Sequence, residues 1–148
     1  MAARDSSLLL QDDNLWVSGF NGNLYNISTI ADYVTGDDSI YTKQQCVPGM
    51  GNHYYYNMTT STECTGEALF PWFPLIYDGQ LIGVGFNVFA NYTVDDGSKN
   101  WFEYSGEAIV RNTIPNGPEC LYDLVGDVGS VTLHTYFIDK PFLVTCLW

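Results

Sequence analysis

The sequence predicts an all-β protein built on one strongly curved antiparallel sheet, shaped as a half-barrel or a two-sheet cradle, with little helix and with disulfide bonds. Three segments, at 80–94, 101–111 and 129–139, alternate apolar and more polar residues with the period that is typical of strands. Aromatic residues reach 16% of the 148 residues, while charged residues make up 15%, against about 25% in ordinary globular proteins. Four well-separated cysteines add the expectation of disulfides.

The segment 80–94 is the centre of the predicted sheet. One of its faces is continuously apolar and consists of Ile82, Val84, Phe86, Val88, Ala90, Tyr92 and Val94. The other face is mixed and includes Gly83, Gly85, Asn87 and Asn91. At about 3.3 Å per residue the strand would run roughly 45 Å, a length at which strands twist and curve. Because glycine permits a bend or a bulge, we expect the strand to curve at its two glycines, with the apolar face concave.

The elements before this strand follow from turn signals. Residues 1–13 are expected to be a flexible lead-in to a single β domain. Strands are predicted at 15–20 and 24–30, on either side of Asn21-Gly22, a dipeptide that is a strong hairpin signal. The domain spans residues 14–148, and its further strands are predicted at 39–46, 53–60, 80–94, 101–112, 129–139 and 142–148.

Two stretches leave alternatives open. Pro71-Trp72-Phe73-Pro74 places two aromatic residues between prolines, which we do not expect inside a central strand or a helix. This group is either a rigid crossover that closes one end of the core or an aromatic rim at the mouth of a ligand cavity. Residues 120–125 form either a short strand or one helical turn. No segment of the sequence spaces its apolar residues convincingly with the period of a helix, so we predict no helix of substantial length.

The cysteines and the sequons point to a secreted chain. Cys46, Cys64, Cys120 and Cys146 form no Cys-x-x-Cys pair, and their even number predicts two disulfides, with three pairings open. Potential N-glycosylation sites occur at Asn26, Asn57 and Asn91. The chain has no apolar run long enough to predict insertion into a membrane. We therefore expect an extracellular glycoprotein.

The net charge limits the classes of molecule that this protein is expected to bind. Seventeen acidic residues against five basic ones give a net charge of −12. A chain this acidic is not expected to bind nucleic acid, which rewards basic patches, or to dock electrostatically on anionic lipid. A hydrophobic small molecule or lipid is the partner class that the many apolar residues favour.

Catalytic motifs do not stand out. His53 and His134 are the two histidines, and both are expected to be satisfied structural residues in strands. No nucleophile elbow, zinc-protease, phosphate-loop or dinucleotide motif is present. The acidic pairs at 12–13, 37–38 and 95–96 fall at predicted turns, where such residues serve hydrogen bonding and solvation. We expect no enzyme, no cofactor and no metal site, with calcium at these pairs as the minor alternative.

A curved sheet with this many aromatic residues either fills its own core or encloses a cavity, and a cavity lined by aromatics suits a small hydrophobic ligand. If the cavity exists, we expect the continuous face of the long strand, the next strand and the aromatic pair to line it. The candidate ligand-binding residues are Val84, Phe86, Val88, Tyr92, Phe102, Tyr104, Trp72 and Phe73. The alternative function is an extracellular recognition or adhesion protein that binds a protein or a carbohydrate through surface aromatics, without an internal cavity.

The order of several motifs resembles the ependymin-related proteins over residues 53–148. In that family a Tyr-rich strand leads into a cysteine and then a Pro-aromatic-x-Pro crossover. The matching groups here are Tyr54-Tyr55-Tyr56-Asn57-Met58, Cys64 and Pro71-Trp72-Phe73-Pro74, followed by Cys120, Tyr136-Phe137-Ile138-Asp139, Pro141, Phe142 and Cys146.

The resemblance implies a secreted, N-glycosylated dimer with a strongly curved antiparallel sheet and a deep hydrophobic pocket similar to that of bacterial lipoprotein carriers. Calcium association in that family involves its sugars, so no calcium ligand transfers to this chain. Cys46 lies much later than the family's first cysteine, and Leu121-Tyr122 and Val144-Thr145 replace family prolines. The family's disulfide pairing therefore does not transfer either.

Overall fold

A curled six-stranded antiparallel sheet organises the computed structural model, which describes residues 13–92 and 101–147. The order of the strands in this sheet is β3-β4-β5-β6-β8-β7, while β1 and β2 form a separate hairpin. Strand makes up 38% of the described residues and helix 21%, so the fold is mostly β and the predicted half-barrel is confirmed. The strands are β1 Asn14–Ser18, β2 Leu24–Ser28, β3 Tyr41–Val47, β4 Gly51–Tyr56, β5 Trp72–Tyr77, β6 Gln80–Val88, β7 Glu103–Ser105 and β8 Ser130–Tyr136.

The N-terminal hairpin turns where the sequence predicts it. Asn21 has a φ of 55° and Gly22 a φ of 75°, both in the left-handed region that Asn-Gly supplies at little cost. The N–H of Gly19 donates to the carbonyl of Asn23 at 2.8 Å and closes the turn. The predicted lead-in at 1–13 lies, except for Asp13, outside the described residues and stays a prediction.

The six-stranded sheet has a different partner on each face. On one side, here the hairpin face, β1, β2 and the short helix α1 cover the sheet, with Ile27 and Val34 packed on Ile76 and Leu81. On the other side, here the helix face, two helices pack their apolar residues on the sheet. Helix α2 contacts both edge strands, β3 and β7, so the sheet curls toward the helices. The helices are α1 Asp32–Thr35, α2 Glu107–Thr113 and α3 Glu119–Val128.

The helices α2 and α3 correct the expectation that no segment carries a convincing helix. The predicted strand at 101–112 exists only as β7, and its second half is helical. Gly106 separates the two, and the buried Val110 and Ile114 lie four residues apart, the spacing of one helical face. The guanidinium of Arg111 pairs with Glu107 one turn earlier at 2.8 Å, which also favours helix. For 120–125 the helical alternative is the one that is realised.

The predicted strand 80–94 is also shorter than expected. It ends at Val88, and residues 89–92 are irregular, while 93 and 94 lie outside the described residues. The register between β5 and β6 slips between Gly83 and Leu81, a bulge beside one of the two glycines where a bend is predicted.

Pro71-Trp72-Phe73-Pro74 corrects a second expectation, because β5 is an interior strand that contains Pro74. The ladder between β4 and β5 has only two register pairs, Asn52 with Ile76 and His53 with Leu75. Both pairs follow Pro74 along β5, so the proline lies where β5 has no ladder partner on the β4 side. An interior proline is tolerated there because no ladder bond to β4 is lost.

Two disulfides fasten the helix face, as the even number of cysteines predicts. Cys46 on β3 is bonded to Cys146 near the C-terminus, and Cys64 in the β4–β5 connection is bonded to Cys120 on α3. The segment predicted as a terminal strand at 142–148 is instead a single 3-10 turn followed by irregular chain, over its described part. That segment is held by the disulfide and by the N–H of Gly49, which donates to the carbonyl of Val144 at 2.9 Å.

Replacing Gly85 by Ala should lower the free energy of unfolding by about 1–3 kcal/mol, because the new methyl group would overlap the ring of Phe73 in a filled core. Urea denaturation followed by fluorescence measures the loss. Gly66→Ala is the matched control: no heavy atom lies within 4 Å of its added Cβ, so its effect should stay within about 0.5 kcal/mol. An equal cost of Gly85→Ala in a Phe73→Leu background would show that the overlap is not the cause.

Peptide mapping without reduction should yield Cys46 linked to Cys146 and Cys64 linked to Cys120. Removing the second bond with the Cys64→Ser/Cys120→Ser pair frees a loop whose ends are 56 residues apart. By chain entropy alone this should cost about 4 kcal/mol of stability in thermal or urea unfolding. Recovery of any other cysteine-linked peptide from the native protein would contradict the assignment.

Candidate functional site

Two adjoining cavities lie between the helix face of the sheet and the helices. The larger one, here the apolar cavity, has a volume of about 330 Å³, and the smaller one, here the polar cavity, about 100 Å³. Both are lined by Tyr55, Asn87 and Ile114. These three residues form a wall that the two cavities share.

The apolar cavity lies where the β4–β5 connection, the end of β6 and α3 come together. Because β4 and β5 pair at only two positions, the long connection between them spreads away from the sheet and contributes a wall. The Cys64–Cys120 disulfide holds this connection to α3. The apolar side chains that line the cavity include Met58, Leu69, Phe70, Phe89, Leu121 and Leu124.

The polar cavity is lined by side chains from β4, β6, β7 and β8. His53 is 2% exposed, and its Nδ1–H donates to the carbonyl of Gly51 at 3.2 Å. The hydroxyl of Ser130 donates to Oδ1 of Asn87 at 2.7 Å. Glu103 on the edge strand completes the cluster. The cavity therefore brings together two histidines, a carboxylate, an amide and the hydroxyls of Ser105, Thr113, Ser130 and Thr132.

His134 is the unusual member of this cluster. Its side chain is 7% exposed, and neither Nδ1 nor Nε2 has a hydrogen-bond partner. Its Nδ1 lies 3.5 Å from Oε1 of Glu103, which is near but does not form a hydrogen bond. Buried polar groups are almost always hydrogen-bonded, so an unsatisfied imidazole at a cavity wall marks a place where a ligand atom can bind. The expectation of a satisfied structural residue is met by His53 and is wrong for His134.

A row of aromatic rings forms the floor of the polar cavity. The ring of Phe73 stacks on Tyr55 at 4.9 Å and on His53 at 5.5 Å between centroids. His134 meets both Phe73 and His53 edge-on at 5.5 and 5.8 Å and stacks on Tyr136 at 6.4 Å. The position of His134 is therefore set by packing, and that of His53 by packing together with its hydrogen bond to Gly51.

Burial sets the charge state of the site. It lowers the pKa of His53 to about 4, with the neighbouring His134 as a second cause. Burial also lowers the pKa of His134, although Glu103 opposes that shift. The pKa of Tyr136 rises to about 12 through burial and through the charge of Glu103, and burial raises the pKa of Tyr55. Near neutral pH the two histidines and the two tyrosines are therefore uncharged.

The structure brings two of the eight predicted ligand-binding residues to the cavities. Phe73 lines the polar cavity, and Val88 lines the apolar one. Val84 is buried on the hairpin face instead. Phe86 packs on Trp72 at 4.8 Å, and Trp72 belongs to the core of the hairpin face, where its indole N–H donates to the carbonyl of Ser18 at 3.0 Å.

Tyr92, Phe102 and Tyr104 are exposed, with the rings of Tyr92 and Phe102 6.4 Å apart. These residues line neither cavity. On the long strand, the mixed face meets both cavities through Asn87, and Val88 of the continuous face also lines the apolar cavity.

The sequons and the acidic turns lie on the surface. Asn26, Asn57 and Asn91 are exposed, which leaves each open to a glycan. Asp37 and Asp38 are exposed at the turn after α1, and Asp95-Asp96 lies outside the described residues. Within residues 13–92 and 101–147, no group of three or more His, Cys, Asp or Glu side chains is placed to hold a metal ion. In the same ranges, no helix has the length and apolarity needed to cross a membrane.

Neither a family model, nor a curated protein, nor a solved structure matches this chain. The resemblance to the ependymin-related proteins therefore stays a prediction from the sequence.

Lowering the pH should destabilise the protein through His53. At pH 7 the imidazole is neutral in both states, because its pKa is 6.5 unfolded and about 4 folded. Between these values the unfolded chain takes up a proton that the folded protein excludes, so the free energy of unfolding falls as the pH falls. Linkage gives a loss of about 2 kcal/mol from pH 7 to pH 5.

Urea unfolding at several pH values measures this loss, with His53→Phe as the comparison. Phenylalanine keeps a ring to stack on Phe73 but does not titrate, so the variant should lose about 2 kcal/mol less than the wild type over this range. The carboxylates titrate in both proteins and cancel in the difference. Parallel stability curves for the two proteins would contradict the assignment of a neutral, buried His53.

Proposed function

We propose that this protein is a secreted, N-glycosylated carrier or sensor that binds a hydrophobic small molecule or lipid between the curled sheet and its helices, without catalysing a reaction. The observation that carries the proposal is the apolar cavity of about 330 Å³. Ligand sites have volumes of about 300–1,000 Å³ and are lined mainly by apolar and aromatic side chains with a few polar groups. The cavity lies at the small end of that range, so a compact or short-chain ligand fits best.

The interactions of the histidines favour binding over catalysis. A nucleophile is activated by a base within hydrogen-bond reach. Neither ring nitrogen of His134 has a partner, and His53 is bonded to the backbone carbonyl of Gly51. The hydroxyl of Ser130, which lines the same cavity, donates to Asn87. None of these contacts forms a nucleophile–base pair.

Secretion is supported by the covalent chemistry of the chain. All four cysteines are in disulfides, and such bonds persist mainly in oxidising compartments. Three exposed sequons add to this. Extraction of the protein from culture medium of secreting cells, followed by glycosidase treatment and mass measurement, tests secretion and glycosylation together.

A second candidate function is recognition of a protein or carbohydrate by surface aromatics. Tyr92, Phe102 and Tyr104 are large, exposed side chains near the same edge of the fold, and Trp16 and Tyr33 are exposed elsewhere. Native mass spectrometry with organic extraction of the purified protein separates the two functions. A co-purifying hydrophobic molecule, or uptake of a fluorescent short-chain lipid, supports the carrier. A clean mass without uptake favours surface recognition.

Filling the apolar cavity should abolish uptake. Leu124 lines it from α3, so Leu124→Trp should reduce the affinity for a fluorescent short-chain lipid by tenfold or more, about 1.4 kcal/mol, because the indole occupies ligand space. Val128→Trp is the matched control, since Val128 is exposed one turn later on the same helix and lines neither cavity. Equal affinities of the two variants would mean that the lipid binds elsewhere.

A further inference from the structure

We propose that the polar cavity binds the protonated amine of the ligand, while the hydrocarbon part of the same molecule occupies the apolar cavity. The inference rests on the proposed function, and it names the ligand class as a hydrophobic amine. It follows from four observations: unpaired acceptors, the sign of the local charge, the aromatic lining, and the wall that the two cavities share.

The unpaired acceptors come first. His134 has a side chain that is 7% exposed and two ring nitrogens without a partner. A neutral imidazole has one lone-pair nitrogen that can accept a hydrogen bond, and the carboxylate of Glu103 accepts as well. Nδ1 of His134 lies 3.5 Å from Oε1 of Glu103, so a donor group that binds this carboxylate oxygen would lie beside the imidazole. An ammonium has three N–H donors and suits such a pair.

The charge of the lining selects a cation over an anion. Glu103 is the one charged side chain among the described residues that line either cavity. Arg111 is engaged by Glu107 and Glu119 on the helices, and Lys140 lines a separate surface pocket. A carboxylate or phosphate head would therefore meet a like charge and no basic partner. The net charge of −12 repels anions and attracts cations over the whole surface.

His134 stays neutral because burial outweighs the effect of the carboxylate that faces it. The groups around its ring are Glu103 from β7, His53 from β4 and Tyr136 from β8, with Phe73 from β5 meeting it edge-on. Burial lowers the pKa of both histidines and raises that of Tyr136. Around neutral pH the histidines therefore do not repel a bound ammonium.

The aromatic lining adds a further attraction for a cation. Phe73 and Tyr55 line the polar cavity, and aromatic rings attract ammonium groups, more strongly where water is displaced. Tyr55, with Asn87 and Ile114, also lines the apolar cavity. A single molecule that extends along this shared wall can place its amine beside Glu103 and its chain among the apolar side chains.

Three probes of equal chain length test the proposal: octylamine, 1-octanol and octanoate, titrated calorimetrically at pH 7.5 into the full-length protein. We expect octylamine to bind about tenfold more tightly than 1-octanol, because charge-assisted hydrogen bonds are stronger than neutral ones, while the 51% exposure of Glu103 limits the gain. Octanoate should bind most weakly of the three.

Glu103→Gln should remove the preference for the amine, because it deletes the charge and keeps the shape of the side chain. Asp123→Asn is the matched control: it makes the same change in net charge from an exposed position on α3 that lines neither cavity, and it should keep the preference.

The outcomes separate the two claims. Failure of all three probes to bind would overturn the proposed function and the inference with it. Binding of 1-octanol or octanoate to the wild type as tightly as octylamine would overturn the amine inference while supporting a hydrophobic carrier. A preference for the amine that survives in Glu103→Gln would show that the polar cavity is not where the amine binds.

Discussion

The ring of Phe73 lies over Gly85 on the neighbouring strand, in the space that a side chain at position 85 would occupy. From that place it stacks on Tyr55 and His53 and meets the edge of His134, so one contact between β5 and β6 positions rings from β4 and β8 as well. The helices then pack on this aromatic layer rather than on the backbone of the sheet. The gaps that remain between rings and helices are the two cavities. Their size and their polar lining both depend on a glycine that leaves room for a large ring.

Much of the fold follows from local chemistry and could be predicted. Asn21 and Gly22 need only their own backbone preferences to form the turn between β1 and β2, and β8 alternates clearly enough to be found within a few residues. Helix α2 could not be found in this way. Its apolar residues, Val110 and Ile114, extend an alternation that begins in β7, and the break at Gly106 matters only because α2 must reach across to β3. Pro74 could not be placed from the sequence for the same reason. A proline is tolerated inside β5 only because the pairing between β4 and β5 does not extend to it.

The candidate site was harder to predict than the fold, and the reason lies in β6. Sequence reasoning takes the face with the larger apolar side chains as the one that lines a cavity, which selects Val84 and Phe86. In the structure Val84 belongs to the core of the hairpin face, and Phe86 packs on Trp72 at the same face. The hairpin was predicted, but the face of the sheet on which it packs was not. Judged from β6 alone, the glycine-containing face has too few large side chains to form a core. The ring of Phe73 from β5 occupies the space beside Gly85 and completes the packing. The glycine-containing face of a strand is thus buried when aromatic side chains from the neighbouring strand cover it. Which strand is the neighbour depends on the tertiary structure and cannot be read from the strand's own sequence. His134 is paired in register with Gly85, so its place at the cavity follows from the same pairing.

The polar cavity also bears on why the protein keeps an unsatisfied imidazole in its interior. An apolar side chain at position 134 would pack against Phe73 and Tyr136 without the cost of desolvating two ring nitrogens. Structural roles for a buried histidine normally come with hydrogen bonds of the kind that His53 makes to Gly51. His134 has the packing but not the bonds, and it lies beside a carboxylate that reaches toward solvent from an edge strand. Stability alone does not account for that combination, whereas the ligand proposed above, which would donate a hydrogen bond at this pair, would account for it.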